Sequence, residues 1–529
     1  MIARHSLFAS FLILSLLALS GTFLILYATP QGMGLFDDSI AYIAGARSLL
    51  DGQGYREAWL ASNQPVTHFP PVFSTILALI GISGLDPLRG TRLLNALIFG
   101  ANIFMLGIIG WRMTKSKAAG GVLAFLLLLN GQLFRIHTTA MSEPLYIFFT
   151  LAAFLSFSQY FISEEKNSIK FLLLASVLTA LAYLTRYAGL ALLATFLVSL
   201  FILHPTWKQR LTSVGIYLVG FIPFALAWSI RNRLLAENAT NRTLVYHPIT
   251  AENIQLGIGN FAAFILPVEA WRRELIKIPN LFGFVLGMLI FVLLVWVLAK
   301  GLKKFLKPAA EAPEVLSFIS ILYIFGYLAS ILSSMTLFDA STKFQLRILA
   351  PVYVSLLTML VYFGYWIWQK SRTESRFTHY ALRITFFTLI VFIFSSSTYN
   401  FAETLTQLRK GGQGYASFQW FDSEAMKLLQ TLPAEARIYS NETAPVYLYT
   451  DHPGYVLPDL IDPVTGLPRG RFDEGVMALQ ADVLSGEAVL ALFDVDSQDE
   501  DVQSVYQILA DGLYLAFDKQ GDKIYTAFP

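Results

Sequence analysis

The chain has 529 residues, of which 55% are hydrophobic and 14% charged, a balance too apolar for a water-soluble globule of this length and one that makes lipid the solvent for most of it. A formal net charge of +2 leaves no footprint for a polyanionic partner such as nucleic acid, so charge matters by position and not by sum. With zero cysteines, disulfide frameworks, thiolate metal sites and cysteine nucleophiles are excluded, and any site uses oxygen and nitrogen groups.

The first apolar run, 7–27, follows Arg4 and exceeds the apolar core of a cleaved signal, so it reads as a retained helix. Runs of spanning length recur at 93–111, 118–133, 145–162, 169–184, 188–203, 211–230, 281–299, 315–337, 348–368 and 380–394. Together they predict about eleven transmembrane helices. The segment 70–85 opens on a Pro pair and closes on Gly-Leu-Asp-Pro. Placing it at the interface puts Arg112/Lys115/Lys117, Lys208/Arg210, Lys300/Lys303/Lys304/Lys307 and Lys370/Arg372/Arg376 on the side of Arg4, the positive-inside pattern. The N-terminus is then cytoplasmic, and the connections 29–91, 134–143, 231–279 and 338–347 lie on the outer face.

From about residue 400 the chain turns polar. Helix-like SEAMKLLQTL and DEDVQSVYQILADGL alternate with strand-like RIYSN, AVLALFD and a pair around QGDK, which predicts a small α/β domain. The expected organisation is a mainly α, polytopic membrane domain over 1–399, with interfacial helices in its first outer loop (about 29–91), and an extracytoplasmic α/β domain over 400–529. No catalysis is assigned to the latter.

Ionisable groups at a membrane boundary are costly unless satisfied, so each is a candidate for function. Asp37-Asp38 opens a stretch whose apolar spacing suits an interfacial helix. Adjacent carboxylates suit a base or a divalent cation, whereas the plain structural reading is a helix N-cap, which needs only one of them. Ser142-Glu143-Pro144 follows Arg135 and His137 in the second outer connection; it too is an ordinary helix start. Arg186 sits between two spans with almost no loop, and Asp339, Lys343 and Arg347 fall in a short connection between two others. Guanidinium groups and carboxylates brought to one face of the bilayer are what transfer from a lipid-linked anionic substrate requires, with arginines clamping phosphate and a carboxylate taking the acceptor's proton. No Walker loop, GxGxxG, HExxH or GxSxG motif occurs, which leaves ATP-driven transport, dinucleotide chemistry and serine-type hydrolysis without support.

The order of these motifs resembles the multi-span GT-C glycosyltransferases that use polyprenyl-phosphate sugars, among them the protein O-mannosyltransferases and lipid A aminoarabinose transferases. The likeness runs through Asp37-Asp38-Ser39-Ile40-Ala41-Tyr42, then His68-Phe69-Pro70-Pro71, then an Arg opening the next span (Arg89 or Arg92). Ser142-Glu143-Pro144, Thr185-Arg186-Tyr187 and Arg347-Ile348-Leu349-Ala350-Pro351 follow in the same order. The pattern departs from the family at Asp38, where Glu is commoner, and at His68-Phe69, where a Lys often precedes the Pro pair.

By resemblance, Asp37 is the general base and Asp38 orients it or binds a cation. The donor phosphate and substrate contacts are then drawn from His68, Arg135, His137, Glu143, Arg186, Asp339, Lys343 and Arg347. No cofactor is demanded by any motif; a divalent cation on Asp37, Asp38 and Glu143 remains one reading. The implied partners are a polyprenyl-phosphate-linked sugar, a glycan, lipid or protein acceptor, and membrane lipids. The rival readings are a non-enzymatic flippase for lipid-linked saccharides and a membrane assembly subunit.

Overall fold

The computed structural model describes residues 2–163, 165–236, 244–275, 279–307, 312–372, 376–462 and 464–528. In chain order, α1 (Ile2–Ala28) is followed by two shorter helices, α2 (Asp37–Leu50) and α3 (Val72–Gly81). Then come α4 (Pro87–Thr114), α5 (Lys117–Leu128), α6 (Gly131–His137), α7 (Glu143–Ile162), α8 (Glu165–Tyr183), α9 (Gly189–Leu203) and α10 (Trp207–Leu235). Next are α11 (Ala251–Ile265), α12 (Glu269–Leu275), α13 (Pro279–Leu306), α14 (Val315–Leu337), α15 (Leu346–Ser371) and α16 (Arg376–Gly411). The remainder alternates: α17 (Phe418–Phe421), α18 (Glu424–Leu429), β1 (Arg437–Ser440), α19 (Thr443–Thr450), β2 (Gly454–Val456), α20 (Phe472–Leu484), β3 (Ala488–Leu492), α21 (Glu500–Ala510), β4 (Tyr514–Lys519) and β5 (Asp522–Thr526).

Every apolar run expected to span is helical, 118–133 across the two helices α5 and α6. Among the described residues, six helices are long and apolar enough to cross a bilayer, or seven if α5 and α6, bent by 65°, count as one broken span. That is fewer than the expected number: α9 and the apolar part of α8 are shorter than a full crossing, while some side chains of α13 and α16 and part of the 231–279 connection fall outside what is described. The protein is a multi-pass helical membrane protein. The 10 residues of α3 rise about 15 Å against a hydrocarbon core of about 30 Å, so this helix cannot cross, as expected for 70–85.

Contacts divide the chain into two compact units, one made of 1–30, 68–72 and 92–410, the other of 31–67, 73–91 and 411–529. Residues 31–67 and 73–91 thus group with the C-terminal residues. Within the helical unit, α7 packs on α8 and α8 on α10, while α14 packs on α9 and α15. Buried tyrosines are satisfied within this packing, since an unpaired hydroxyl in a lipid-facing bundle is costly. Tyr323 donates to the Tyr146 hydroxyl at 2.9 Å, Tyr146 to the Ala188 carbonyl at 3.1 Å, and Tyr327 to the Ile348 carbonyl at 3.0 Å.

The second unit is built on a five-stranded sheet of order β2-β1-β3-β5-β4. Strands β2, β1 and β3 are parallel; β5 runs antiparallel to β3 and pairs with β4. The β4–β5 turn is Gln520-Gly521, with φ of +56° and +84°, the two-residue geometry that suits twisted hairpins. All five residues of β3 are buried. Their alternation sends Val489 and Ala491 to a core with α18, and Ala488, Leu490 and Leu492 to a core with α20 and α21, as a central strand covered on both faces requires. The edge of β2 is covered by the segment between α2 and α3: Gly454 donates to Trp59 at 2.9 Å and accepts from Ala61 at 3.0 Å.

Candidate active site

The acidic pair stands in the first turn of α2, where the helix dipole favours negative charge. Neither member is the N-cap. That position is Phe36, whose carbonyl accepts from Ser39 and Ile40 at 2.8 and 3.1 Å and whose own N–H donates to Ser39 Oγ at 3.1 Å. Capping is thus performed by Ser39 and the backbone, which removes the plain reading of Asp37. Asp37 is exposed and Asp38 half-buried.

Asp37 Oδ1 accepts a 2.7 Å hydrogen bond from the Tyr415 hydroxyl, which also lies 2.9 Å from Glu442 Oε2. Backbone geometry delivers this tyrosine. Leu35 N–H donates to Gln413 at 3.2 Å, and Tyr415 N–H donates back to Leu35 at 2.8 Å. Between them Gly414 has φ +58°, and a Cβ there would strike the Leu35 carbonyl, so only glycine fits. The Tyr415 ring meets Trp420 edge-on at 5.3 Å, and its carbonyl accepts from Tyr449 at 2.5 Å.

Glu442 follows β1 at the carboxyl end of the parallel strands. The connection from β1 leads to β2 on one side and the next leads to β3 on the other, so the gap between β1 and β3 is a topological switch point, where open α/β sheets gather functional groups. Asn441 pins this gap, donating to the Phe493 carbonyl and accepting from its N–H, both at 2.9 Å. Burial and the negative charges of Asp37 and Asp494 push Glu442 up to about 7. Burial and the two neighbouring carboxylates hold Tyr415 far above the usual phenol range, so it stays a donor.

In the helical unit a second cluster forms on the residues 141–143. Glu143 is fully buried, with Oε1 2.8 Å from Arg186 Nη1. The same guanidinium nitrogen donates to Ser142 Oγ at 3.1 Å, and Arg347 Nη1 lies 3.7 Å from Met141 Sδ. Three of the predicted residues, Glu143, Arg186 and Arg347, are therefore brought together.

Others are committed elsewhere. Arg135 donates to Gln407 at 2.8 Å. His137 is wholly buried: Nδ1 meets the Leu133 carbonyl at 2.8 Å and Nε2 meets the Asn102 amide at 3.1 Å. Both ring nitrogens are thus spent on structure, which leaves no N–H for a phosphate. Asp339 accepts from Ser341 N–H at 3.0 Å and Ser341 Oγ at 2.6 Å, a local turn. Lys343 stands 3.8 Å from Glu252, and His68 is half-buried with its ring 4.3 Å from that of Phe69. Among the described residues no three His, Asp or Glu side chains gather in a way that could hold a metal ion. Asp37, Asp38 and Glu143 are no exception.

Residues 65–232 match the family described as dolichyl-phosphate-mannose-protein mannosyltransferase. A comparison with curated proteins gives no match. In fold, the chain is similar to ArnT from Cupriavidus metallidurans bound to undecaprenyl phosphate, at TM-score 0.56 and 12% identity over 96% of this chain and 97% of that one. It is also similar to the archaeal oligosaccharyltransferase AglB from Archaeoglobus fulgidus, in complex with an inhibitory peptide and a dolichol-phosphate, at TM-score 0.57 and 12% identity over 100% of this chain and 75% of that one. The chain has the GT-C fold. The sequence names Asp37 as a candidate but not Tyr415 or Glu442, which the structure places beside it. The one signal for them was Gly412-Gln413-Gly414 directly before the tyrosine, a marker of a close backbone approach.

Proposed function

We propose that the protein is a glycosyltransferase that moves one sugar from a polyprenyl-phosphate donor to an acceptor on the extracytoplasmic face, with inversion. The observation that carries this reading is the state of Asp37: exposed at a helix N-terminus, relieved of capping, and held through one oxygen by Tyr415. A carboxylate fixed in this way is suited to general-base work. In the reaction, an acceptor hydroxyl gives its proton to Asp37 as its oxygen attacks the anomeric carbon. The bond from that carbon to the phosphate oxygen breaks, and polyprenyl phosphate leaves as the anion. Arg186 and Arg347 are assigned to the phosphate charge, which the arginine fork suits. Asp38 orients the site.

Further support comes from the family match over 65–232 and from the fold shared with proteins whose structures hold undecaprenyl phosphate or dolichol-phosphate. A cavity of about 530 Å³ in the helical unit, lined by Ile258, Phe261, Met288, Phe291, Phe325 and Tyr353, has the size and apolar character of a lipid-tail site. Sidedness rests on the basic clusters grouped with Arg4.

The test uses full-length protein in lipid nanodiscs with labelled undecaprenyl-phosphate-mannose and a membrane extract as acceptor source, following release of undecaprenyl phosphate. Asp37→Asn is expected to lower kcat about 10²- to 10⁴-fold, the worth of a general base. An unchanged rate removes Asp37 from the chemistry.

A further inference from the structure

The three oxygens of Asp37, Tyr415 and Glu442 raise a proton count. Tyr415 has one hydroxyl proton but two carboxylate oxygens at hydrogen-bond distance, 2.7 Å to Asp37 and 2.9 Å to Glu442. Two ionised carboxylates could share only one donor, and one of them would face a lone pair. A second proton, on one of the carboxyl groups, would satisfy both contacts. We propose that Glu442 and Tyr415 are positioning residues for Asp37: the Glu442 carboxylic acid donates to the Tyr415 oxygen, Tyr415 donates to Asp37 Oδ1, and Oδ2 is left to take the acceptor's proton. The inference rests on the reading of Asp37 as the base and deepens it.

Placement supports this direction of donation. Glu442 is half-buried beside β1, and the charged groups acting on it are Asp37 from α2 and Asp494 from the end of β3, both anionic. The hydroxyls of Tyr415 and of Tyr506 on α21 complete its titratable surroundings. Burial and the two anions favour the neutral acid and outweigh the Tyr415 hydroxyl, which as a donor would favour the ionised form. When two carboxyl groups share one site, the environment that makes them unequal assigns their roles, the neutral one as donor and the ionised one as base. The consequence is an alkaline limb: as Glu442 ionises, both carboxylates compete for the Tyr415 proton and Asp37 loses its fixed orientation. A lone carboxylate base would only gain activity as pH rises.

The direct test needs no substrate. Infrared difference spectra of full-length protein in nanodiscs, native minus Glu442→Gln, should contain a protonated-carboxyl C=O band that fades with a midpoint near pH 7, and Asp37→Asn should lower that midpoint by removing a neighbouring anion. A Glu442 signal already ionised at about pH 5, or a midpoint untouched by both Asp37→Asn and Tyr415→Phe, overturns the chain of donors.

In the transfer assay with undecaprenyl-phosphate-mannose, Glu442→Gln keeps the donor role through its amide N–H. It should stay within about threefold of native below pH 7 and lose the alkaline limb, whereas Tyr415→Phe should lower kcat about 10- to 100-fold with little change in KM. A Glu442→Gln rate as low as that of Asp37→Asn, or one that keeps the native pH profile, overturns the proposal while leaving the transferase reading intact. Loss of the transferase reading itself would appear instead as no transfer by native protein, with the infrared arm still deciding the hydrogen-bond chain.

Discussion

Replacing Arg186 with methionine strips the counter-charge from a carboxylate that has no exposure to water. Glu143 is fully buried, its Oε1 lies 2.8 Å from Arg186 Nη1, and neither carboxylate oxygen has an aligned hydrogen-bond donor among the described residues. The ion pair is thus the main compensation for that charge. At an effective dielectric of about 20, unit charges about 4 Å apart attract by about 4 kcal/mol. Stranding one member of a buried pair costs about 3–5 kcal/mol. Arg186→Met is therefore expected to cost about that much, whereas Glu143→Gln combined with Arg186→Met should cost less than Arg186→Met alone, with a coupling of at least about 2 kcal/mol. Equilibrium unfolding of the four proteins in dodecyl maltoside micelles titrated with dodecyl sulfate measures the cycle. A single Arg186→Met change within about 0.5 kcal/mol of native, or strictly additive costs, would refute the claim that the pair is coupled and desolvated.

Three further outcomes follow from contacts in the two units. Gly414→Ala combines a left-handed backbone, φ +58°, with a collision at the Leu35 carbonyl; it should cost at least about 1–2 kcal/mol and lower transfer activity together with Tyr415 placement, measured by calorimetry and the transfer assay. Arg92 donates to the Leu26 carbonyl at 2.7 Å and to Thr29 Oγ1 at 3.0 Å, satisfying an otherwise orphaned last-turn carbonyl of α1. Arg92→Met should cost about 1–3 kcal/mol and raise amide exchange around residues 26–29. Glu57 is raised by burial to about 7. Because its folded pKa lies above the ordinary carboxylate value, its stabilising contribution is complete at low pH and is lost as pH climbs from the ordinary carboxylate range through about 7; Glu57→Gln should flatten that slope in unfolding curves taken from pH 4 to 8.

The helices were legible in the sequence because the bilayer imposes one requirement on them, an apolar run of sufficient length, and each such run but 118–133 falls on a single helix. How many cross outright was not legible. The segment 118–133 reads as one span but is broken by Asn130, whose side chain accepts from Leu133 N–H at 2.9 Å to start α6 and turn the chain by 65°. In the C-terminal part, the periodic segments were read correctly, whereas β2, only three residues long and followed by a proline-rich stretch, carries too little pattern to register. The candidate residues divide in the same way. Asp37 stands out by its adjacency to Asp38, but His137 looked like a phosphate donor only because the sequence does not reveal that Asn102, 35 positions earlier, takes its second nitrogen.

Tyr415 and Glu442 illustrate why a candidate base such as Asp37 can be read from sequence while the groups that hold it cannot. A general base needs one carboxylate in a first helical turn, which is a local pattern. Its orientation needs a donor, and here that donor arrives from 378 residues away, set by a single backbone register between Leu35 and Gly414. The same register explains the value of a folded domain at the end of a membrane chain. An exposed carboxylate at the position of Asp37, without the Tyr415 contact, would lose most of its orienting entropy only when substrate arrives. Under the proposed reading, fixing one of its oxygens through Tyr415 meets that cost during folding, and the C-terminal residues would contribute to the rate without touching the sugar.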